Sequence, residues 1–434
     1  MQLERLIQQS LIWRGFYFCS ILLLNIVFSR QLEAAGIGWI YFLTNIFSLV
    51  VLVGSFNLDS GFTFMVSSQK ITAQSLAWFG IVFTALMALF IFWGSSFYFK
   101  YYPSSEISTP LAIQYSLLYI VGIILVNLFT VLFYADNNFL IPNIVLGSIN
   151  LILVLGLIIA KNVGFTNNQL IHIYFSFFLL QGVFLTIAYF LFYKKAMILS
   201  LPNKEQLYLL FKYSSISLCS NLVFFFTYRI DYWFVEMYCS TSDLGNYIQA
   251  SKLGQMLLIV PQILASAVFP ATANKIHQYD TASIIAILAR IIIQVFVCIT
   301  MLILLVGNWL FPLLFGNSFQ QLYQPMLLLM PGILSLAILV LLSAFFGGKN
   351  KVYINIIGVS IGLVIVVIAD IFLVKSWGIK GAAIASSIAY VANLLFCLQQ
   401  FVKHSNSRFT ELLHFQQSDW LWLKQMLFSN KTVR

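Results

Sequence analysis

Polar residues along this chain act mainly as punctuation between long apolar runs. Crossing the ~30 Å hydrocarbon core of a bilayer takes about 20 helical residues. Runs of roughly that length fall at 11–29, 39–58, 76–98, 111–134, 139–160, 170–193, 212–236, 245–270, 284–306, 323–346, 352–374 and 378–402. The pattern predicts an all-α polytopic membrane protein with about twelve transmembrane helices. Connections between runs are short. The longest polar one, 194–211, carries Lys194, Lys195 and Lys204, with Lys212 at its far edge, and separates the sixth run from the seventh. The expected organisation is an N-lobe at 1–200, a C-lobe at 201–403 and a cytoplasmic tail at 404–434. The tail sets Trp420, Trp422, Met426, Leu427 and Phe428 among Lys424, Lys431 and Arg434. That pattern fits an amphipathic interfacial helix or a frayed terminus.

The two halves echo each other. Gly36-Ile-Gly38-Trp-Ile-Tyr41 opens the second run, and Asp243-Leu-Gly245-Asn-Tyr247 opens the eighth, with Gly245 following Gly38 by 207 positions. Six helices per half is an even number, so both halves enter the membrane from the same side. The expectation is two parallel six-helix lobes related by a pseudo-two-fold axis along the membrane normal, with Gly38 near Gly245.

Composition agrees. Of 434 residues, 61% are apolar and 8% charged, with 42 Phe, which excludes an ordinary soluble domain. The net charge of +10 raises nucleic acid as a partner, but the basic residues are scattered through short connections. With the N-terminus inside, fourteen lysines and arginines fall in cytoplasmic segments against five outside, so both termini are expected in the cytoplasm and no nucleic acid is invoked. The run Leu11–Ser29 holds Arg14 and Asn25 and precedes no small-x-small site, so it reads as a retained helix, not a cleaved leader. Five isolated cysteines and four scattered histidines form no metal or disulfide pattern. No nucleophile elbow, phosphate loop or spaced carboxylate pair appears, so the sequence reads as neither an enzyme nor a cofactor protein.

Function must then lie in the few charges at membrane depth, each costing about 2.5–3.5 kcal/mol on insertion scales unless it snorkels, pairs or meets water. In the seventh run Ser214, Ser217, Asn221 and Tyr228 share one helical face, and Arg229 and Asp231 follow. Arg14 and Asn25 form a similar stripe in the first run. Two such stripes suggest a polar cavity between lobes. The remaining charges in or near spans are Arg30, Asp59, Glu236, Lys252, Arg290 and Asp370. Snorkelling or internal pairing can account for several of them, and a spacing of two makes a direct Arg229–Asp231 pair awkward. Asp370, close to Lys375, reads as structural. Lys252 lies eight residues into its run, about 12 Å deep, and is expected to face a cavity, not lipid. Pro261 and Pro331 sit inside spans, where they serve as hinges or static kinks.

Tyr228-Arg-Ile-Asp231-Tyr-Trp-Phe-Val, Ser242-Asp-Leu-Gly245-Asn-Tyr247-Ile-Gln-Ala250-Ser-Lys252-Leu, Val268-Phe-Pro270-Ala, Leu314-Phe-Gly316-Asn-Ser-Phe and Trp377-Gly-Ile-Lys-Gly381 follow one another in order. Together with Ser29-Arg30-Gln-Leu and Phe56-Asn-Leu-Asp-Ser-Gly61, they resemble Wzx-type polysaccharide flippases over nearly the whole chain. One departure is that Arg30-Gln-Leu-Glu33 stands where the family pattern reads Arg-x-Leu-Gly. The resemblance implies the MATE-like fold of the MOP superfamily, alternating access, and location in the bacterial cytoplasmic membrane. It also implies, as substrate, a polyprenyl-pyrophosphate-linked oligosaccharide moved to the outer leaflet for O-antigen or capsule assembly, with membrane lipids and a polysaccharide polymerase with its chain-length machinery as partners. A pyrophosphate at depth needs cations. Arg14, Asn25, Arg30, Asn221, Tyr228, Arg229, Lys252 and Arg290 are the candidate cavity residues, and Asp59 and Asp231 the candidates for coupling or gating. The alternatives are a MATE-like drug or cation antiporter, which would favour acidic cavity groups, and a membrane polymerase or ligase, which would need a larger outer loop.

Overall fold

The computed structural model describes residues 2–101, 108–193, 198–273 and 278–405. Most of the 404–434 tail, Lys194, Lys195, Lys275 and His277 lie outside the described residues.

The described chain is a succession of helices: α1 (Gln2–Gly54), α2 (Leu58–Ser67), α3 (Ala73–Tyr101), α4 (Thr109–Ala135), α5 (Leu140–Asn162), α6 (Asn167–Phe192), α7 (Lys204–Arg229), α8 (Asp231–Tyr238), α9 (Thr241–Met256), α10 (Ile259–Ala273), α11 (Gln278–Phe315), a 3-10 turn (Asn317–Leu322), α12 (Tyr323–Gly348) and α13 (Val352–Ser405). Without water in a bilayer, each backbone donor must find its acceptor inside its own segment, which the helix achieves and an open strand edge does not.

Among the described residues, nine helical stretches are long and apolar enough to span a bilayer. The difference from the twelve apolar runs has a local cause. The polar gaps at 30–38 and 375–377 are not loops. The helix continues through both, kinking at Glu33 (φ 61°, ψ 175°) and at Gly378 (φ 55°, ψ −137°). At ~1.5 Å per residue, α1 and α13 each have the length for two crossings. The run at 245–270 divides the other way, into α9 and α10, with a break at Leu257 and Leu258. Pro261 therefore stands in the first turn of α10, where its missing N–H costs nothing, while Pro331 is inside α12 as expected.

Packing divides the chain into two compact units. One comprises Gln8–Leu32 and Leu43–Leu222. Its core is aromatic, with Phe28 stacked on Tyr174 at 4.2 Å and Tyr115 on Phe175 at 4.5 Å. A buried polar relay links three helices. Gln181 Nε2 donates to Asn150 Oδ1 (2.7 Å), and Asn150 Nδ2 donates to Ser20 Oγ (3.0 Å). α4 and α6 meet at glycines, since a Cβ on Gly182 would stand 2.7 Å from the Gly122 carbonyl oxygen.

The other unit comprises Met1–Ile7, Val223–Arg434 and Glu33–Phe42, the last being the short stretch of α1 at and just past its kink. That stretch is sewn to the second-half helices. A Cβ on Gly38 would stand 2.7 Å from the Gly245 nitrogen, and one on Gly245 would overlap the Ala34 carbonyl. The Ala34 N–H donates to Ser318 Oγ (3.1 Å), and Asn246 Nδ2 donates to the Ser318 carbonyl (3.1 Å). The two glycines of the sequence echo are thus in direct contact.

Candidate functional site

The ten candidate residues fall into two sets, one in each unit. In the unit of α2–α7, Arg14 lies half-buried on α1 with its guanidinium over two rings, 4.8 Å from the centroid of Tyr134 and 5.3 Å from that of Phe139. Its Nε is buried without a hydrogen-bond partner. Such a box holds a cation through ring quadrupoles while leaving its N–H groups available. Asn25 is half-buried on the same helix, and Arg30 is exposed just before the kink.

The polar face of α7 is occupied locally. Asn57, left-handed at φ 54°, caps α2 and donates from Nδ2 to Ser217 Oγ (2.7 Å), while its Oδ1 accepts from Asn221 Nδ2 (2.9 Å). Ser214 packs against Gly61 with its hydroxyl buried and unpartnered. Asn221 therefore ties α7 to the α1–α2 turn. Asp59, half-buried in the first turn of α2, sits where a helix dipole favours a carboxylate.

The second unit gathers the richer set. The Lys252 amine on α9 lies 3.0 Å from the centroid of the Tyr41 ring. Its polar partner is thus a π face contributed by the captured stretch of α1. The Arg229 guanidinium lies 5.3 Å from the Phe225 ring centroid, one helical turn back. Arg290 is buried, 8% exposed, on α11. Tyr228 lines a cleft of about 220 Å³ with Asn355, Asn393 and Cys397.

Asp231, at the first position of α8, is 1% exposed and well solvated by protein. Its Oδ1 accepts from the Tyr232 N–H (3.0 Å), and its Oδ2 accepts from Tyr247 and from Ser386 Oγ (2.9 Å). Tyr232 in turn donates to Ser251 Oγ (2.8 Å). This network joins α8, α9 and α13, and it gives Asp231 partners other than the arginine two positions away.

Asp370 corrects the sequence reading. It is fully buried on α13, both carboxylate oxygens lack a hydrogen-bond partner, and Lys375 points to the exposed surface. It is neither snorkelling nor paired with that lysine. Five positions of helix put the two on different faces. An unsatisfied carboxyl at zero exposure at membrane depth calls for an explanation, and a functional role is the first to test. Among the described residues, no cluster of three or more His, Cys, Asp or Glu side chains forms a metal site.

The chain spans about half the length of the curated relative it matches, the probable low-salt glycan biosynthesis flippase Agl15 of Haloferax volcanii. It is 22% identical to that protein over 218 residues, which is 50% of this chain and 46% of the relative. Two solved structures superpose over nearly everything. One is the lipid II flippase MurJ in its inward closed conformation (TM-score 0.65, 17% identity, 96% of this chain and 95% of that one). The other is the Vibrio cholerae MATE transporter VcmN in its bent form (TM-score 0.65, 14% identity, 96% and 99%). They establish a MATE-like fold for a multi-pass membrane protein. The model of a family described as polysaccharide biosynthesis protein matches residues 27–324. The chain belongs to the polysaccharide biosynthesis protein family.

Proposed function

We propose that this protein is a Wzx-type flippase, not an enzyme, moving a polyprenyl-pyrophosphate-linked oligosaccharide from the cytoplasmic to the outer leaflet by alternating access of its two six-helix halves, 1–200 and 201–403. The family match carries this reading. It is supported by the way this chain spends its few membrane-depth charges. Arg14, Arg229 and Lys252 each rest against aromatic rings, whose faces hold cations at depth. A diphosphate needs such groups, and Arg offers it a planar, bidentate fork. In this reading Arg14, Asn25, Arg30, Asn221, Tyr228, Arg229, Lys252 and Arg290 serve the substrate, and Asp59 and Asp231, now with Asp370, serve coupling. The positive-inside bias supports cytoplasmic termini, and an inside-negative potential favours outward movement of each negative charge by about 2.3 kcal/mol per 100 mV. O-antigen or capsule units are the substrates proposed, with a polysaccharide polymerase and chain-length proteins as downstream partners. The buried acids Asp231 and Asp370 favour, as second reading, a cation-coupled antiporter.

The test begins with a deletion strain, in which lipid-linked oligosaccharide should accumulate in the cytoplasmic leaflet. Unchanged leaflet sidedness would overturn the flippase reading. Within it, Arg229→Ala at matched membrane expression is expected to lower surface polysaccharide by tenfold or more, since a lost charge-assisted contact is worth about 1.5–3 kcal/mol. Arg229→Lys should restore part of the loss. Full export by the alanine variant removes Arg229 from the substrate path, and loss of the protein from the membrane assigns it a structural role instead.

A further inference from the structure

A cavity of about 500 Å³ opens at one end of the unit that runs from Val223 onward. It forms where three helices are interrupted together: at the start of α9, at the 3-10 turn between α11 and α12, and at the Gly378 kink of α13. None of the candidate residues above lines it. Its wall carries four primary amides, Asn308, Gln320, Gln321 and Gln324, beside the indole of Trp377, which is 57% exposed. Tyr323 also lines it, with its hydroxyl committed to the Leu304 carbonyl (3.1 Å). The charged members are one acid and one base, Asp243 and Lys380. Asp243 Oδ2 is already engaged by the N–H (3.3 Å) and hydroxyl (2.7 Å) of Ser240 in the cap of α9.

This lining selects a chemistry. A primary amide both donates and accepts hydrogen bonds. A saccharide hydroxyl does the same, whereas a phosphate only accepts and a quaternary ammonium does neither. An exposed indole offers a flat apolar face to the C–H face of a sugar ring while its N–H stays available. Opposite charges in equal number leave no field to favour an ion. The volume falls within the roughly 300–1,000 Å³ of small-molecule sites. We propose that this cavity binds the neutral saccharide portion of the translocated lipid, holding the glycan at one end of the helical unit while the diphosphate is dealt with elsewhere. The proposal rests on the flippase reading for the identity of its ligand.

The site carries its own reporter. A Cβ at Gly378 would stand 3.7 Å from the Cys239 sulfur, so this half-buried free thiol borders the cavity wall. Burial and the Asp243 carboxylate push the Cys239 thiol above its ordinary value, so labelling belongs at mildly alkaline pH. The full-length protein in nanodiscs is treated with N-ethylmaleimide and each cysteine followed by peptide mapping. N-acetylcysteine in the same sample serves as the standard for reagent reactivity. The probes are maltose, chitobiose and the oligosaccharide released by mild acid from the polyprenyl lipids of the source cells, with glycerol and inorganic phosphate as controls. At twice its Kd a saccharide should slow Cys239 roughly threefold, the factor 1 + [L]/Kd, with the N-acetylcysteine standard unchanged. Gln324→Leu and Trp377→Ala should each abolish the protection. The proposal is overturned if no saccharide slows Cys239, if glycerol or phosphate slows it equally, or if protection survives in both variants. It is also overturned if the rate follows only the lipid headgroup composition of the nanodisc, which would make Trp377 an ordinary interfacial anchor. Labelling requires no transport. Failure here therefore leaves the leaflet assay standing, and failure there leaves a saccharide site without a flippase.

Discussion

Gly245→Val should leave the protein poorly assembled, with a large fall in its thermal unfolding midpoint in nanodiscs. α9 crosses the captured stretch of α1 so closely that even a methyl group on Gly245 would overlap the Ala34 carbonyl, and the facing Gly38 is equally tight. The obstacle is backbone, which cannot rotate away as a side chain does. Overpacking usually costs about 1–3 kcal/mol and more where the main chain must move. Separating these segments also strains the hydrogen bonds that the Ala34 N–H and the Asn246 amide make to Ser318, and it disturbs the seat of Tyr41 beneath the Lys252 amine. The comparison is Gly156→Ala on α5, where an added Cβ meets nothing. That change should be neutral or slightly stabilising, since alanine is the better helix former by about 0.8–1.0 kcal/mol. Equal behaviour of Gly245→Ala and Gly156→Ala would show that the crossing is not tight.

Asp370→Leu should raise stability and abolish export. The aspartate is fully buried with neither oxygen hydrogen-bonded. An unsatisfied buried polar group costs roughly 1–3 kcal/mol, so a leucine of similar size should raise the unfolding midpoint. In the coupling role proposed for it, the carboxylate takes up and releases a cation or proton during transport, which leucine cannot do. Unfolding in nanodiscs and surface polysaccharide in cells are measured on the same variant. A stable variant with normal export removes Asp370 from the coupling path. A destabilised one means that the carboxylate has a favourable role in the fold.

Much of the architecture was legible in the sequence because bilayer length is a strong constraint: nearly every apolar run corresponds to helix. The exceptions have a common physical origin. Hydropathy falls at 30–38 and 375–377 because small, polar and basic residues collect there, but a kinked helix satisfies its backbone as well as a loop would. The break at Leu257 and Leu258 interrupts an apolar run, and Gly254 before it and Pro261 after it are its only compositional marks. At the candidate sites the sequence located the charges but not their company. Of the stripe on α7, Ser217 and Asn221 meet Asn57, 160 and 164 positions earlier in the chain, whereas Tyr228 lines a separate cleft with Asn355 and Asn393. Lys375 is near Asp370 in sequence but exposed, whereas Asp370 is fully buried, a difference that sequence distance does not convey. The amide-rich cavity escaped notice entirely. Its glutamines and tryptophan come from separate interruptions and have no shared spacing.

The kink in α1 has a thermodynamic side. Glu33, at φ 61° and ψ 175°, occupies a backbone region that is essentially reserved for glycine. A side chain held there raises the free energy of this arrangement by about 1–3 kcal/mol. Any arrangement that relaxes the turn is spared that cost, so its share of the population grows by roughly 5- to 150-fold relative to a chain with glycine. In the alternating-access reading proposed above, Glu33, three positions after Arg30, biases how readily the protein leaves the state described here before any substrate has bound.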